Sequence, residues 1–576
     1  MPISAPAVPS EPPTAEIDRL LHADLAMLTG GFSAVAALEA TFDWAAHLAM
    51  SPGRRLELLR AAAADIQRLA GLNAAPSAEN APPARHDPRF QAEAWQQWPF
   101  SAYAQTFQAV EGWWLEAASH VPGVSRAHED LLRFMARQIL DSVAPSNLAA
   151  TNPEVLERIR QTGGRCLIDG SRIAADDALR ALSNKPPAEA GAFRVGTDVA
   201  ATEGTVILRT PLCEVIQYKP VTETVQREPV LFVPAWINRF YILDLERRNS
   251  MVRHMVERGF TVFMVSWKNP TPEDRDVSFD DYRRLGVLPA IEAALAITGA
   301  ERLHGVGYCL GGTLLTIVAA AMARDGDERL ASLSFLAAQF DFDEAGELKV
   351  FVNESQLTLL EDMMWRRGVL AGQQMRGAFH LLRSNDLIWS KLVRQYLMGE
   401  PTVANAMAAW AADSTRMPYR MHSDYLRSLY LNNDLAEGRF KVDGRAIEIQ
   451  DIRAPVFALG TEWDHVAPWH SVYKFGTAIE GEVTFALTNG GHNQGVVSQP
   501  GRPDRRYRIA THAAGDRHVD PDRWIASVAP QEGSWWPAWF DWLEARSTGR
   551  IAAPPVGRPD AGYASLMAAP GLYVTE

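Results

Sequence analysis

Cysteine is nearly missing from this chain of 576 residues: only Cys166, Cys213 and Cys309 occur, far apart and in no C-x-x-C pair. They can build neither a disulfide framework nor a zinc knuckle, and their scarcity fits a reducing cytoplasm. Long apolar runs are missing as well. None reaches the ~18 residues of a membrane span, so no transmembrane segment is expected and any hydrophobic phase would be met from the surface. Positive charge is in deficit, 56 Lys and Arg against 69 Asp and Glu for a net charge of −13. That balance repels a polyphosphate backbone and speaks against nucleic acid as a partner. The first fourteen residues, rich in Pro, Ala and Ser, lack the cationic start and apolar core of a secretory signal. No internal repeat stands out.

What is present reads as a globular protein, with 47% hydrophobic and 22% charged residues, and too long for one compact core. Two domains are expected after a disordered start at residues 1–15. Residues 16–190 read as mostly helical. Apolar side chains recur at helical spacing in Ile17, Leu20, Leu21 and Leu25 and again in Trp44, Leu48, Leu56 and Leu59. A linker at residues 73–88 carries Pro76, Pro82 and Pro83. A second helical block near residues 100–144 has an expected buried face of Trp113, Trp114, Leu132, Phe134 and Met135.

Residues 191–576 change rhythm. Short β-rich runs alternate with helical ones, as in a parallel sheet with crossover helices. The strand candidates are PVLFV (229–233), FTVFMVSW (260–267), LHGVGY (303–308), LSFLAA (333–338), VFALG (456–460) and VTFAL (483–487). A mainly helical insertion at about 340–452 breaks the pattern, and such insertions form caps over active sites. Near the end GSWWPAWFDWL (533–543) reads as a final helix packed on the sheet, with a lipid- or polymer-binding stripe as the alternative.

The sharpest signal is Gly307-Tyr308-Cys309-Leu310-Gly311-Gly312, set between a strand run and an apolar helix. It matches the G-x-S-x-G nucleophile elbow with Cys in place of Ser. The elbow needs small residues two positions either side of the nucleophile, because strand and helix cross closely there, and Gly307 and Gly311 meet that need. The helix after Cys309 aims its unpaired N–H groups at the sulfur, which with an imidazole nearby favours thiolate. Cys166 and Cys213 read as small buried hydrophobes.

On such a fold the triad runs nucleophile, acid, histidine, with the partners in loops after late strands. Asp464 follows VFALG, and His492 follows VTFAL. His465, directly beside the acid, should point away from it and reads as a supporting residue; Glu462 is the weaker candidate acid. The oxyanion hole is expected from the backbone N–H of Leu310 and one in the loop Val233-Pro234-Ala235-Trp236-Ile237-Asn238-Arg239, Ile237 first and Trp236 next. The fold class is therefore α/β: an α/β-hydrolase-fold catalytic domain with a helical cap insertion, preceded by a mostly helical N-terminal domain.

With these motifs the chain resembles the polyhydroxyalkanoate (poly-beta-hydroxybutyrate) synthases, particularly the class I type. The resemblance rests on LTGGFS (28–33) with Asp43-Trp44 and His47-Leu48, TNP (151–153), PAWINRFYILDL (234–245), VFMVSWKNP (262–270), GYCLGGT (307–313), DHVAPW (464–469) and GSWWPAWFDWL. It implies polymerisation of (R)-3-hydroxyacyl-CoA thioesters with release of CoA through an acyl-cysteine, with no cofactor and no metal. It further implies a homodimer, a polymer granule surface as partner, and a cytoplasmic location at granules. Asp464 then either orients His492 or helps activate the attacking hydroxyl. The chain departs from the family's pattern at Ala235, Arg239 and residues 498–501, followed by a polar, arginine-rich segment at 502–522. These departures and Gln494, two residues past His492, bear on acyl chain length. The competing expectations are a Cys-dependent thioesterase or esterase, since dienelactone hydrolases share the G-x-C-x-G-G elbow, and a catalytically silent granule-associated protein.

Overall fold

A computed structural model of the chain describes residues 13–74, 87–183 and 185–576. The expected disordered start and the expected linker lie mostly outside the described residues. The helix Pro13–Leu28 begins inside the first, and the helix Pro52–Ala74 ends inside the second.

Seven helices precede the sheet, from Pro13–Leu28 to Arg165–Leu182. Side-chain caps set their starts: Ser33 Oγ accepts from the Ala36 N–H, Ser125 Oγ from His128, and Asn152 Oδ1 from Glu154 and Val155, each satisfying donors the helix itself cannot. Gly163, at φ 58°, ends the helix that Asn152 opens, a left-handed position where a Cβ is costly. The cores these helices make among themselves are small, one around Phe90, Trp95 and Phe107 and one around Ala36, Ala40 and Leu131.

One expectation for this region, a buried Trp114, is corrected. The first helix is present where Ile17, Leu20, Leu21 and Leu25 mark it; these four are exposed, and the helix buries Ala23 and Ala26. Its small residues allow close approach to the helix Glu354–Arg367, where His22 Nδ1 meets Asp362 at 2.7 Å and Arg366 pairs with Asp24. Trp114 is likewise exposed, whereas Trp113 tucks in and donates to the Leu58 carbonyl at 3.0 Å.

The remainder is built on one sheet of eleven strands. In chain order these are β1 (Gly204–Arg209), β2 (Cys213–Tyr218), β3 (Val230–Val233), β4 (Val262–Trp267), β5 (Leu303–Tyr308), β6 (Leu330–Leu336), β7 (Val456–Thr461), β8 (Val483–Thr488), β9 (Arg506–His512), β10 (Gln531–Glu532) and β11 (Met567–Ala568). Across the sheet they lie in the order β10-β9-β8-β7-β6-β5-β3-β4-β2-β1-β11. The run from β4 through β8 is parallel, and the flanking pairs are antiparallel. All six strand runs read from the sequence are present. The polar, arginine-rich segment at 502–522 contains a strand not read from the sequence, β9, which pairs antiparallel with β8 and extends the sheet. Its arginines alternate with Tyr507 and Ile509, so a strand with one open face reads as polar.

The two faces of the sheet bury separate cores. Leu231 and Val233 of β3 point into the one shared with Leu314 and Ile291, while Val230 and Phe232 point into the other, the alternation a pleated strand imposes. The second face holds the final helix, Trp536–Glu544. Trp535, Trp536 and Trp539 are fully buried. Their indole N–H groups donate to Gly495 O at 3.0 Å, Val496 O at 2.9 Å and Ser334 Oγ at 2.9 Å, the partners a buried indole requires. This is the sheet-packed helix, and its tryptophans form no exposed stripe.

Between β6 and β7 lies the helical insertion, including Glu354–Arg367, Gly372–Leu382, Ala406–Ala412 and Tyr419–Tyr425. The N-terminal helices pack on it at several places, two of them extensive. The first helix meets Glu354–Arg367, and Arg165–Leu182 meets the turn Leu392–Leu397. At the second contact Gly170 is required, because a Cβ there would sit 2.0 Å from the Tyr396 carbonyl oxygen.

Trp539→Ala removes a ring that stands edge-on to Phe232 at 6.3 Å. It is expected to cost about 3–5 kcal/mol, read as a lower denaturant midpoint by circular dichroism.

Candidate active site

Cys309 sits where β5 passes into the helix Leu310–Arg324, with φ 52° and ψ −128°. A non-glycine residue holds such a backbone only when its surroundings over-determine it. Here the Cys309 N–H donates to Leu336 O at 3.0 Å, and the neighbours leave no alternative path. A Cβ on Gly307 would lie 2.3 Å from Gly312 Cα, one on Gly311 2.1 Å from Val233 O, and one on Gly312 2.4 Å from Ala338 Cβ. The structure therefore gives Gly307 and Gly311 the steric role read from the sequence and adds Gly312 to it.

His492 opens the short helix His492–Val496 after β8, and Asp464 lies in the loop after β7. The two meet, His492 Nδ1 to Asp464 Oδ2 at 2.7 Å. The same Oδ2 accepts from Thr461 Oγ1 at 3.2 Å, while Oδ1 accepts from the N–H groups of Val466 and Ala467 at 2.9 Å each. Burial alone would raise the Asp464 carboxyl. The His492 charge, its hydrogen bond and the two backbone donors outweigh burial and hold it below the usual carboxylate range. Burial likewise opposes charging the His492 ring, and Asp464 and the Cys309 sulfur overcome it, so His492 keeps its proton well above the ordinary imidazole range. Cys309 lies within hydrogen-bonding reach of that ring.

The competing residues are turned elsewhere. His465 Nδ1 faces Arg383 Nη1 at 3.0 Å, and burial followed by that guanidinium pushes its pKa down to about 4, so it is a neutral acceptor. Glu462 Oε2 faces Arg506 at 3.4 Å. Cys166 and Cys213 are buried, and burial pushes the Cys213 thiol up to about 12.

Leu310 is the first residue of its helix, so its N–H has no partner within it. In the loop after β3, the Trp236 carbonyl accepts from Thr415 Oγ1 and the Ile237 carbonyl from the Thr415 N–H at 3.0 Å. A trans peptide directs its N–H opposite to its carbonyl, so Thr415 turns the Ile237 N–H away from the cap segment. Leu310 and Ile237 both line a cavity of about 550 Å³ that also contains Cys309, His492 and Gln494. Cap residues Phe379, Tyr425 and Tyr430 line its other side. Tyr308 borders the cavity too and donates to Asn493 Oδ1 at 2.6 Å. Tyr425, Tyr430 and Asn493 carry no spacing signal, and sequence reasoning passed over them.

Comparison with known proteins gives the chain a family. The family described as "Poly-beta-hydroxybutyrate polymerase (PhaC) N-terminus" matches residues 86–255, its companion "Poly-beta-hydroxybutyrate polymerase N terminal" matches residues 12–54, and "alpha/beta hydrolase fold" matches residues 228–497. The chain is 40% identical over 493 residues to the poly(3-hydroxyalkanoate) polymerase of Methylorubrum extorquens, covering 85% of this chain and 80% of that one. It belongs to the poly(3-hydroxyalkanoate) polymerase family. Identity to the Rhizobium etli relative is 36%, over 86% of this chain and 77% of that one, and to the Cupriavidus necator relative 34%, over 85% and 83%. The resemblance read from the sequence is thus borne out, and membership of this polymerase family makes the chain an acyltransferase on an α/β-hydrolase fold. Among the described residues no helix is long and apolar enough to cross a membrane, and no group of three His, Cys, Asp or Glu side chains is arranged to hold a metal.

The ion pair sets a pH window. Asp464, depressed in the fold, contributes stability above the unfolded carboxylate pKa and loses it as pH falls through the lower folded value. His492, raised in the fold, contributes below the unfolded imidazole pKa and loses it as pH rises toward the higher folded value. The stability gap between wild type and Asp464→Asn is expected to be widest between about pH 4 and pH 6.5, measured by urea unfolding across pH.

Proposed function

We propose that this chain polymerises (R)-3-hydroxyacyl-CoA thioesters into polyhydroxyalkanoate through an acyl-cysteine on Cys309, with release of CoA. The observation that carries the reading is Cys309 on its strained elbow beside a buried His492–Asp464 pair, facing a cavity that the cap lines on its other side. Since His492 Nδ1 is engaged by Asp464, Nε2 is the nitrogen that holds the proton drawn from the Cys309 thiol. The thiolate then attacks the thioester carbon, and the oxyanion is held by the N–H groups of Leu310 and Ile237. As the tetrahedral adduct collapses, the carbon–sulfur bond to CoA breaks and His492 protonates the leaving thiolate.

In the second half His492 takes the proton of an incoming hydroxyl, the hydroxyl oxygen attacks the acyl-cysteine carbon, and the adduct collapses with cleavage of the carbon–sulfur bond to Cys309, whose thiolate stays paired with the protonated His492 while the chain grows by one ester. Both Asp464 oxygens are already occupied and its side chain is fully buried, which supports an orienting role over direct activation of the hydroxyl. The cap supports exclusion of water, which would otherwise end the chain by hydrolysis. No step calls for a metal or cofactor. The partner surface of the same reading is the polymer granule, with a homodimer in the cytoplasm as the working form. Leu28, Leu38 and Phe42 on the N-terminal helices, 84%, 70% and 76% exposed, supply apolar surface for such contacts.

The test is incubation with (R)-3-hydroxybutyryl-CoA, following free thiol and weighing precipitated polymer. Both are expected from wild type, with turnover lowered on the order of 10⁴-fold or more in Cys309→Ala. Chelator is expected to leave the rate unchanged. Thiol release with soluble hydroxy acid would make the protein a thioesterase, and polymer from Cys309→Ala would overturn the acyl-cysteine.

A further inference from the structure

A cation without a counter-charge stands in the wall of the Cys309 cavity. Arg376, on the helix Gly372–Leu382, is half-buried and lines that cavity. Its Nη1 donates to the Ala412 carbonyl at 3.1 Å, and among the described residues no carboxylate pairs with it. Burial alone pushes its guanidinium below the ordinary arginine range, with no acid to oppose the shift. The other arginines of the cavity are satisfied: Arg239 by Asp413 and the Tyr573 carbonyl, Arg383 by Asp386.

Two further observations give Arg376 a direction. The Ala412 carbonyl it holds belongs to the segment that leans on the loop after β3, where Asn238 donates to Trp410 O at 3.3 Å and Thr415 to Ile237 O at 3.0 Å. The guanidinium therefore sits over the cavity beside the expected oxyanion loop and is kept off the outer surface. His380 follows one turn later on the same face, lines the same cavity and feels the Arg376 charge. Among the residues lining the cavity Asp386 is the one acid, and Arg383 occupies it. A chain of net charge −13 has thus made this wall locally positive, which draws anions in.

A half-buried guanidinium loses hydration without recovering it from a partner, and an oxyanion delivered into the cavity would restore that loss through the planar fork. We propose that Arg376, with His380 beside it, is an anion subsite in the wall of the Cys309 cavity. It takes an oxyanion of the incoming thioester, either a phosphate of the carrier or a carboxylate at the end of the acyl chain. This deepens the acyl-cysteine reading and rests on it.

The experiment compares Arg376→Gln, Arg376→Lys and His380→Ala with wild type on three substrates: (R)-3-hydroxybutyryl-CoA, the same acyl group on pantetheine, which has no phosphate, and a 3-hydroxyacyl-CoA ending in a carboxylate. If the carrier phosphate is the ligand, Arg376→Gln raises KM about tenfold or more for both CoA thioesters, leaves the pantetheine thioester unchanged, and Arg376→Lys recovers part of the loss. If the acyl carboxylate is the ligand, only the third substrate suffers. An equal change on all three, or none on any, overturns the subsite; the former would make Arg376 a strut of the cap. Titration of CoA into Cys309→Ala, with and without Arg376→Gln, reads carrier binding without turnover. Wild type that forms no polymer defeats the acyl-cysteine reading, whereas polymer formation indifferent to Arg376 defeats the subsite alone.

Discussion

The close crossing of β5 and the helix Leu310–Arg324 is the constraint on which the site depends. Within six residues the chain turns from the centre of the sheet into a buried helix, and three glycines exist because backbone, or for Gly312 the Ala338 methyl, occupies the space their Cβ atoms would need. The turn forces Cys309 to positive φ and leaves its side chain on the one open side, at the floor of the cavity. Exposure of the nucleophile and the unpaired N–H of Leu310 are two consequences of one backbone path.

The partners are brought to this point by the parallel order of the sheet. β7 and β8 end on the same side as β5, so loops far apart in sequence converge, and the bond between His492 and Asp464 closes the arrangement. Asp464 is held by four donors on one carboxylate. A group so fully engaged has no freedom to follow a moving substrate, and a chain that adds one unit after another needs a fixed proton acceptor at each cycle.

Much of this was legible in the sequence because its cause is local. The elbow glycines, the six strand runs and the order Cys309, Asp464, His492 all follow from short-range sterics and from strand–loop alternation. β9 was missed because Arg506, which is exposed, and Arg508, which donates to the Val528 carbonyl, disguise a half-buried strand as a polar segment. The first helix was legible from its spacing but its buried face was not: contact with Glu354–Arg367 selects the alanines that let two backbones approach. Arg376 and the paired Tyr425 and Tyr430 were invisible for a plainer reason: the cap places them on the cavity through tertiary packing that no local pattern encodes.

The tryptophans of the final helix carry one more consequence. Trp535 and Trp536 hold the carbonyls of Gly495 and Val496, at the far end of the short helix that His492 opens. A ribosome that has made everything up to residue 500 has supplied the nucleophile, the acid and the histidine, yet the peg from which the histidine's helix hangs is still unmade. Assembly is therefore sequential in time as well as in space. The elbow is complete early in synthesis, and its proton acceptor is locked only when residues 535–543 leave the exit tunnel and dock. Until then the helix that His492 opens lacks the two indole donors that hold its last carbonyls.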